Sequence, residues 1–134
     1  MDSAADRTFF VTTNTAGKRR LFQVSANAEL LLGLLKEDRA RGRYEVHAYV
    51  IMPDHIHLIL TPAPEVSLEK AMQFIKWQES FAWERVKDAR DFASHCDYIH
   101  ANPVRKFLCE KAGDFEYSSA RGVGVDAVPA YLRA

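Results

Sequence analysis

Residues Tyr49 to Leu60 read YVIMPDHIHLIL, and the reading of this stretch decides the fold. It is two apolar β-segments joined by a tight turn at Pro53-Asp54, the second opening with His55-Ile56-His57. Successive strand side chains point to opposite faces, so His55 and His57 share one face and Ile56 takes the other. Two imidazoles on one face of a rigid strand are either ligands of a single metal ion or two polar residues on a solvated face. The flanks Val50, Ile51, Leu58, Ile59 and Leu60 mark a central, buried hairpin, where two histidines without partners would be costly.

Working outward, Thr8 to Thr13 (TFFVTT) is β-branched and aromatic and reads as a strand, followed by a turn at Asn14 to Lys18. Ser25 is a candidate helix N-cap; Leu30, Leu31, Leu34 and Leu35 form an apolar stripe at helical spacing, and Gly42 is a C-cap. Tyr44 to Met52 and His55 to Thr61 are the hairpin strands, ended by Pro62-Ala63-Pro64. Ser67 caps a second helix with Leu68, Ala71, Met72 and Ile75 on its apolar face. Ser80 to Val86 reads as a fourth strand. Asp88 caps a third helix that runs to about Ala101 and stops at Pro103. The remainder from Lys106 is irregular, with a turn at Tyr117-Ser118-Ser119. The order β-α-β-β-α-β-α predicts an α+β ferredoxin-like sandwich: an antiparallel four-stranded sheet with helices on one face. With no repeats and no linker, residues 1–134 form one domain.

The composition, 48% hydrophobic and 27% charged, is that of an ordinary soluble domain. No apolar run is long enough for a transmembrane helix, and no secretory signal is visible, so a cytoplasmic protein is expected. Cys96 and Cys109 are expected to be reduced thiols. The formal net charge is zero, which argues against a generally basic nucleic-acid binder. Local charge matters more for phosphate, and Lys18-Arg19-Arg20, Arg39/Arg41/Arg43 and Arg105-Lys106 form three basic clusters. Each such cluster is more often a solvated face than a binding patch.

The third helix carries Asp97-Tyr98-Ile99-His100-Ala101-Asn102-Pro103-Val104. Tyr98 and Asn102 are four residues apart and share one helix face. Taken alone, a tyrosine near a helix end is a packing residue, and an Asn before Pro is a stop signal. With the hairpin the picture changes. FFVTTNT, VIMPDHIHLIL, WQESF (Trp77–Phe81), DYIHANPVR (Asp97–Arg105) and FEYSSA (Phe115–Ala120) together resemble the single-tyrosine HUH transposases (IS200-like), and more closely their REP-associated branch. The likeness spans nearly the whole chain. His-hydrophobic-His alone is unspecific; followed by Tyr-Ile-x-x-Asn-Pro-Val it is quite specific.

The resemblance implies a fold of the HUH endonuclease type and a set of roles. His55 and His57 would be metal ligands, Asn102 a third, amide-type ligand, and Tyr98 the nucleophile. The substrate would be single-stranded DNA beside a small hairpin, cleaved and rejoined through a 5′-phosphotyrosine. Imidazoles suit zinc, copper or nickel, whereas amide and phosphate oxygens suit magnesium or manganese; the resemblance implies Mg2+ or Mn2+. Some relatives are dimers with Tyr supplied in trans, and the REP-associated branch resembles monomers with Tyr in cis, so monomer and homodimer both stay open. His100, two residues along the helix from Tyr98, is expected to point away from the site. Lys18, Arg19, Arg20, Arg43, Lys76 and Arg105 are candidates for phosphate contacts, and Trp77, Phe81 and Trp83 for base stacking, with core packing an equal alternative for an aromatic strand.

The join at Phe74 to Gln78 is shorter than in the family. Either it is a true deletion or a loop between Lys76 and Trp77 is missing from these 134 residues, the second being preferred. Two other readings compete. One is a domesticated, catalytically inactive module that binds hairpin DNA. The other is a metal-dependent hydrolase with water as nucleophile, in which Tyr98→Phe would keep activity.

Overall fold

The computed structural model describes residues 7–75, 78–122 and 125–133. Strand β1 (Phe9–Thr15) alternates strictly between buried and half-buried positions, as its apolar pattern requires. Strands β2 (Tyr44–Ile51) and β3 (His55–Pro62) form the expected hairpin, closed by Met52 N–H donating to the His55 carbonyl at 2.8 Å. Strand β4 (Gln78–Arg85) pairs with β1. All pairings are antiparallel and the strand order is β2-β3-β1-β4, that of a ferredoxin-like sandwich. The join questioned above falls at Lys76 and Trp77, outside the described residues.

Helix α1 (Ser25–Ala40) starts at the residue expected to cap it, one residue early: Val24 is the N-cap and no side chain caps the helix. The helix entrance is instead tied by Asn27 Nδ2 donating to the Leu21 carbonyl at 2.9 Å and by buried Phe22. At the other end Gly42 lies just past the cap with φ 74°, a left-handed turn that glycine enters freely. Helix α2 (Leu68–Gln73) is capped by Ser67, whose Oγ accepts from Lys70 N–H at 3.0 Å. Asp88 caps helix α3 (Ala89–Arg105) by accepting from Asp91 N–H at 2.8 Å.

Two expectations need correction. The helices do not all lie on one face. Phe9, Val11, Ile51, Ile56, Leu58 and Leu60 pack with Leu31 and Leu35 of α1 and Leu68 and Met72 of α2. Ala48, Val50 and Ile59, on the opposite face, pack with Ile99, Phe92 and Cys96 of α3. Strands β2 and β3 are apolar on both faces, and a sheet of that kind must be covered twice. Pro103, moreover, does not stop α3 but sits inside it, buried. It removes one backbone donor, yet the turn continues through Lys106 N–H to the Asn102 carbonyl at 3.1 Å and Leu108 N–H to Pro103 at 2.8 Å.

The irregular C-terminal stretch closes the free edge of β2. Ile51 N–H donates to the Tyr117 carbonyl at 2.9 Å, and Ser119 Oγ accepts from Tyr49 N–H at 2.9 Å. Further along, Asp126 takes a two-pronged ion pair from Arg39 (2.8 and 2.9 Å) and accepts from Val46 N–H. An edge so covered cannot pair with another chain.

Candidate active site

The face covered by α3 is the one on which the paired histidines stand. Val50 of β2, His57 of β3, Thr12 of β1 and Ala82 of β4 are aligned across the sheet, so His57 occupies an inner strand with neighbours on both sides. Ile56 lies in the opposite core, and the alternation expected of His-Ile-His holds. The two imidazole rings meet edge to face, with centroids 4.8 Å apart.

Each ring is held by its Nδ1. His55 Nδ1 lies 2.8 Å from Asp54 Oδ1, and a carboxylate only accepts, so that nitrogen carries the hydrogen. His57 Nδ1 lies 2.9 Å from Thr12 Oγ1. The nitrogen left to coordinate is Nε2 in both rings, the arrangement metal-bound histidines commonly show. Burial drives the His57 pKa down to about 3, with the His55 ring and the Arg105 charge pushing the same way, so His57 is a neutral donor at physiological pH. Burial would raise the Asp54 carboxyl, but the hydrogen bond from His55 and the nearby charges of His55 and Lys18 outweigh it and hold it below the usual range.

Helix α3 brings the second half. The Tyr98 ring packs edge-on against His57 with centroids 5.3 Å apart and against Phe10 at 6.0 Å. The Arg105 guanidinium lies over the phenol ring, 4.4 Å from its centroid, and donates to the Tyr98 carbonyl at 3.3 Å. Tyr98 remains 45% exposed. One turn on, Asn102 is only 2% exposed, and its Oδ1 has no hydrogen-bond partner, a costly state for a buried carbonyl oxygen. Among the described residues no three His, Cys, Asp or Glu side chains converge as a metal-binding group, so a third protein donor beside the histidines would have to be of another kind. The orphaned Asn102 oxygen would be a donor of that kind, and imidazoles with an amide oxygen would suit a divalent ion that also binds phosphate. His100 points away from Tyr98, as expected, with Nε2 2.8 Å from Ser119 Oγ.

The basic candidates separate. Lys18 and Arg20 line a cleft of about 330 Å³ with Asp54, His55, Lys106 and Leu108. Arg105 serves Tyr98. Arg19 is exposed and follows the turn at Ala16–Lys18. Arg43 belongs to the fold instead: it pairs with buried Asp38 at 2.8 Å and lies over Phe74 at 4.3 Å. Lys76 and Trp77 lie outside the described residues. Phe81 and Trp83 belong to the face away from Tyr98; Phe81 packs on the α1/α2 core, and Trp83 meets Phe9 edge-on at 5.4 Å, so neither stacks on bases at this site. Sequence reasoning did not assign Asp54 or Thr12, and it placed Lys106 in a basic cluster without giving it a contact. Asp54 could have been found from its place beside His55; Thr12 needs the strand register, and Lys106 needs the position of α3.

Paired histidines on an inner strand, with a tyrosine presented to them by a covering helix, define the HUH class. The chain belongs to the IS200-like transposase family, a family of enzymes, whose description matches residues 10–95. That span includes both histidines and ends before Tyr98. The REP-associated tyrosine transposase of Escherichia coli (strain K12) is 26% identical over 125 residues, covering 84% of this chain and 75% of its own length. A putative REP-associated tyrosine transposase of Haemophilus influenzae is 31% identical over 104 residues, covering 57% of this chain and 58% of that protein. Among solved structures, a REP-associated tyrosine transposase bound to a REP hairpin superposes with a TM-score of 0.70 at 20% identity, covering 93% of this chain and 94% of that one. A putative transposase from Deinococcus radiodurans superposes with a TM-score of 0.50 at 19% identity over 70% of this chain and 88% of that one. No helix of the described residues is long and apolar enough to cross a membrane.

Proposed function

We propose that this protein cleaves and rejoins single-stranded DNA beside hairpins through a 5′-phosphotyrosine on Tyr98, with Mg2+ or Mn2+ held by His55, His57 and Asn102. The observation that carries the reading is the packing of the Tyr98 ring on His57, 5.3 Å between centroids, within one chain. When bound, the ion would neutralise and orient the scissile phosphate, whose charge otherwise repels a nucleophile. Asp54 and Thr12 hold the imidazoles, and Phe10 and Arg105 hold the phenol. The Tyr98 oxygen forms a bond to phosphorus as the bond from phosphorus to the 3′ oxygen breaks. The phenolic proton passes to solvent, which reaches the half-exposed ring, and the leaving 3′ oxygen takes up a proton. The phosphotyrosine keeps the bond energy, so a 3′-hydroxyl can reverse the step without ATP. Hairpin DNA is the partner favoured by the neighbouring structure, described as bound to a REP hairpin. The reading takes Tyr98 in cis, from the chain that carries His57.

The test is a denaturing gel. The protein is incubated with labelled single-stranded DNA carrying hairpins from the region flanking its own gene, with manganese or with EDTA. A manganese-dependent covalent band, lost in Tyr98→Phe and in His55→Ala, is the expected result. Cleavage that survives Tyr98→Phe would assign the nucleophile to water. Binding with no covalent band would assign an inactive DNA-binding module.

A further inference from the structure

Two parts of the sequence play no role in the chemistry proposed above: the FEYSSA stretch, and His100 within DYIHANPVR. The fold brings them together. Ile51 N–H of β2 donates to the Tyr117 carbonyl at 2.9 Å, and Ser118 forms an antiparallel bridge with Val50. The next residue, buried Ser119, opens a short 3-10 turn that ends at Arg121. One residue of β2 grips its hydroxyl: Oγ accepts from Tyr49 N–H at 2.9 Å and donates to the Tyr49 carbonyl at 3.2 Å. A hydroxyl has one hydrogen and two acceptor positions. Tyr49 uses the hydrogen and one acceptor. The other acceptor is left for a hydrogen on His100 Nε2, 2.8 Å away. A hydroxyl saturated in this way has one orientation.

The place of His100 on α3 gives that bond its weight. His100 follows Tyr98 by two residues and precedes Asn102 by two. At about 3.6 residues per turn it projects roughly 160° around the helix axis from each of them. Against the sheet, α3 packs through Ile99, Phe92 and Cys96. Such apolar contacts are non-directional, so they set the depth of the helix and leave its rotation to polar contacts. Two of these reach the two edge strands of the sheet. His95 Nε2 lies 3.0 Å from Glu84 Oε1 of β4, an ion pair only when the ring is protonated. His100 is held through Ser119 to Tyr49 of β2 by hydrogen bonds that need no charge.

We infer that His100 is a positioning residue: through Ser119 it pins the rotation of α3 to the edge of β2, and so sets where Tyr98 and Asn102 stand relative to the paired histidines. Its effect on rate rests on the Tyr98 mechanism proposed above; its effect on the orientation of the Tyr98 ring does not. Helical side chains reach about 6 Å from the axis, so a rotation of about 10° carries them about 1 Å. A misplacement of about 1 Å costs about 100-fold in rate.

The first test is fluorine NMR of the full chain labelled with m-fluorotyrosine, in EDTA, with the Tyr98 resonance assigned by its loss in Tyr98→Phe. His100→Leu keeps bulk and removes the bond. Ser119→Ala breaks the same bond from the other side, which keeps the test decisive where one of the two variants fails to fold. In both, the Tyr98 resonance is expected to move toward that of free m-fluorotyrosine, as the ring leaves its edge-on contact with His57. His100→Gln, whose amide N–H can reach the same hydroxyl, is expected to keep the wild-type position. A Tyr98 resonance unmoved in the folded bond-breaking variants would overturn the inference.

The second test is single-turnover adduct formation with manganese at saturating hairpin DNA, per folded protein. The rate is expected to fall about 10- to 100-fold in His100→Leu and in Ser119→Ala. The double variant should lose no more than the worse single one, because both remove one bond. His100→Gln should recover most of the rate. Affinity for the same DNA in EDTA should stay level, since a misplaced nucleophile lowers the rate of the bound complex and leaves binding intact. A wild-type rate, losses that multiply in the double variant, or a loss confined to affinity would each overturn the positioning role. No adduct in the wild-type protein would sink the Tyr98 mechanism and this second test with it, while the fluorine resonance would still decide whether His100 sets the ring.

Discussion

Protonation of His57 should unfold this protein from the site outward, and the effect can be sized. The ring is 4% exposed, and burial, with the charges of His55 and Arg105, holds its pKa at about 3, against 6.5 for a free histidine. In the unfolded chain the ring binds a proton below about pH 6.5; in the folded chain it does so only near pH 3. Between those limits the unfolded state carries more protons, so stability is full above about pH 6.5 and falls as the pH drops. For one group with these pKa values, going from about pH 7.5 to about pH 5 costs about 2 kcal/mol. Burial also lowers the pKa of His47 and His100, so the whole protein loses more than His57 alone explains. His57→Gln isolates the share of one ring. Urea melts in EDTA at several pH values, for both proteins, should show a gap in unfolding free energy that changes by about 2 kcal/mol across the range, the variant being the less sensitive to acid. A gap that stays constant to within about 0.5 kcal/mol would mean that His57 is not held neutral.

Four further outcomes are expected. Asp54→Asn leaves the His55 ring without its carboxylate and should weaken manganese binding about 10- to 100-fold, read by the manganese dependence of Tm. Asn102→Leu removes the buried oxygen that lacks a partner; stability should hold or rise by up to about 1 kcal/mol in urea melts while the manganese-induced Tm shift shrinks. Ile99→Ala, beneath the turn between Tyr98 and Asn102, should cost about 2–4 kcal/mol of stability and slow adduct formation beyond the loss of folded protein, since small misplacements of a nucleophile are expensive. Asp126→Ala removes both the Arg39 ion pair and an acceptor for Val46 N–H, and should cost about 2 kcal/mol and speed proteolysis after residue 122, read by mass spectrometry.

The hairpin was legible because its signals are local: two apolar runs, a Pro-Asp turn and alternation that separates Ile56 from His55 and His57. The caps at Ser67 and Asp88 were legible for the same reason, each bond closing within three residues. What depended on distant partners was not. Arg43 reads like any basic residue after a turn, and only the fold shows it tied to Asp38 at the end of α1, with Phe74 beneath it. Trp83 and Phe81 read equally as stacking or packing residues until the register with Val11 and Thr13 assigns them to the α1/α2 face. Ser25 has the chemistry of a cap, but the turn ending at Gln23 with Phe22 buried sets the helix start one residue earlier.

The placement of α3 carries the largest consequence of this kind. Had all three helices lain on one face, the histidines would have faced solvent and Tyr98 could have reached them only from another molecule. The sequence does hold the reason for the second layer, in the apolar residues Ala48, Val50 and Ile59 that share the histidine face. Once α3 lies across them, its period does the rest. Ile99 anchors the helix, Asn102 enters the buried layer, and Tyr98, one turn earlier, stays at the rim, 45% exposed. Tyr98 is therefore accessible to a strand in solvent, as the proposed nucleophile must be, while Asn102 is buried, as the proposed ligand must be. Both follow from the same four-residue spacing and from the depth at which the helix sits on the sheet.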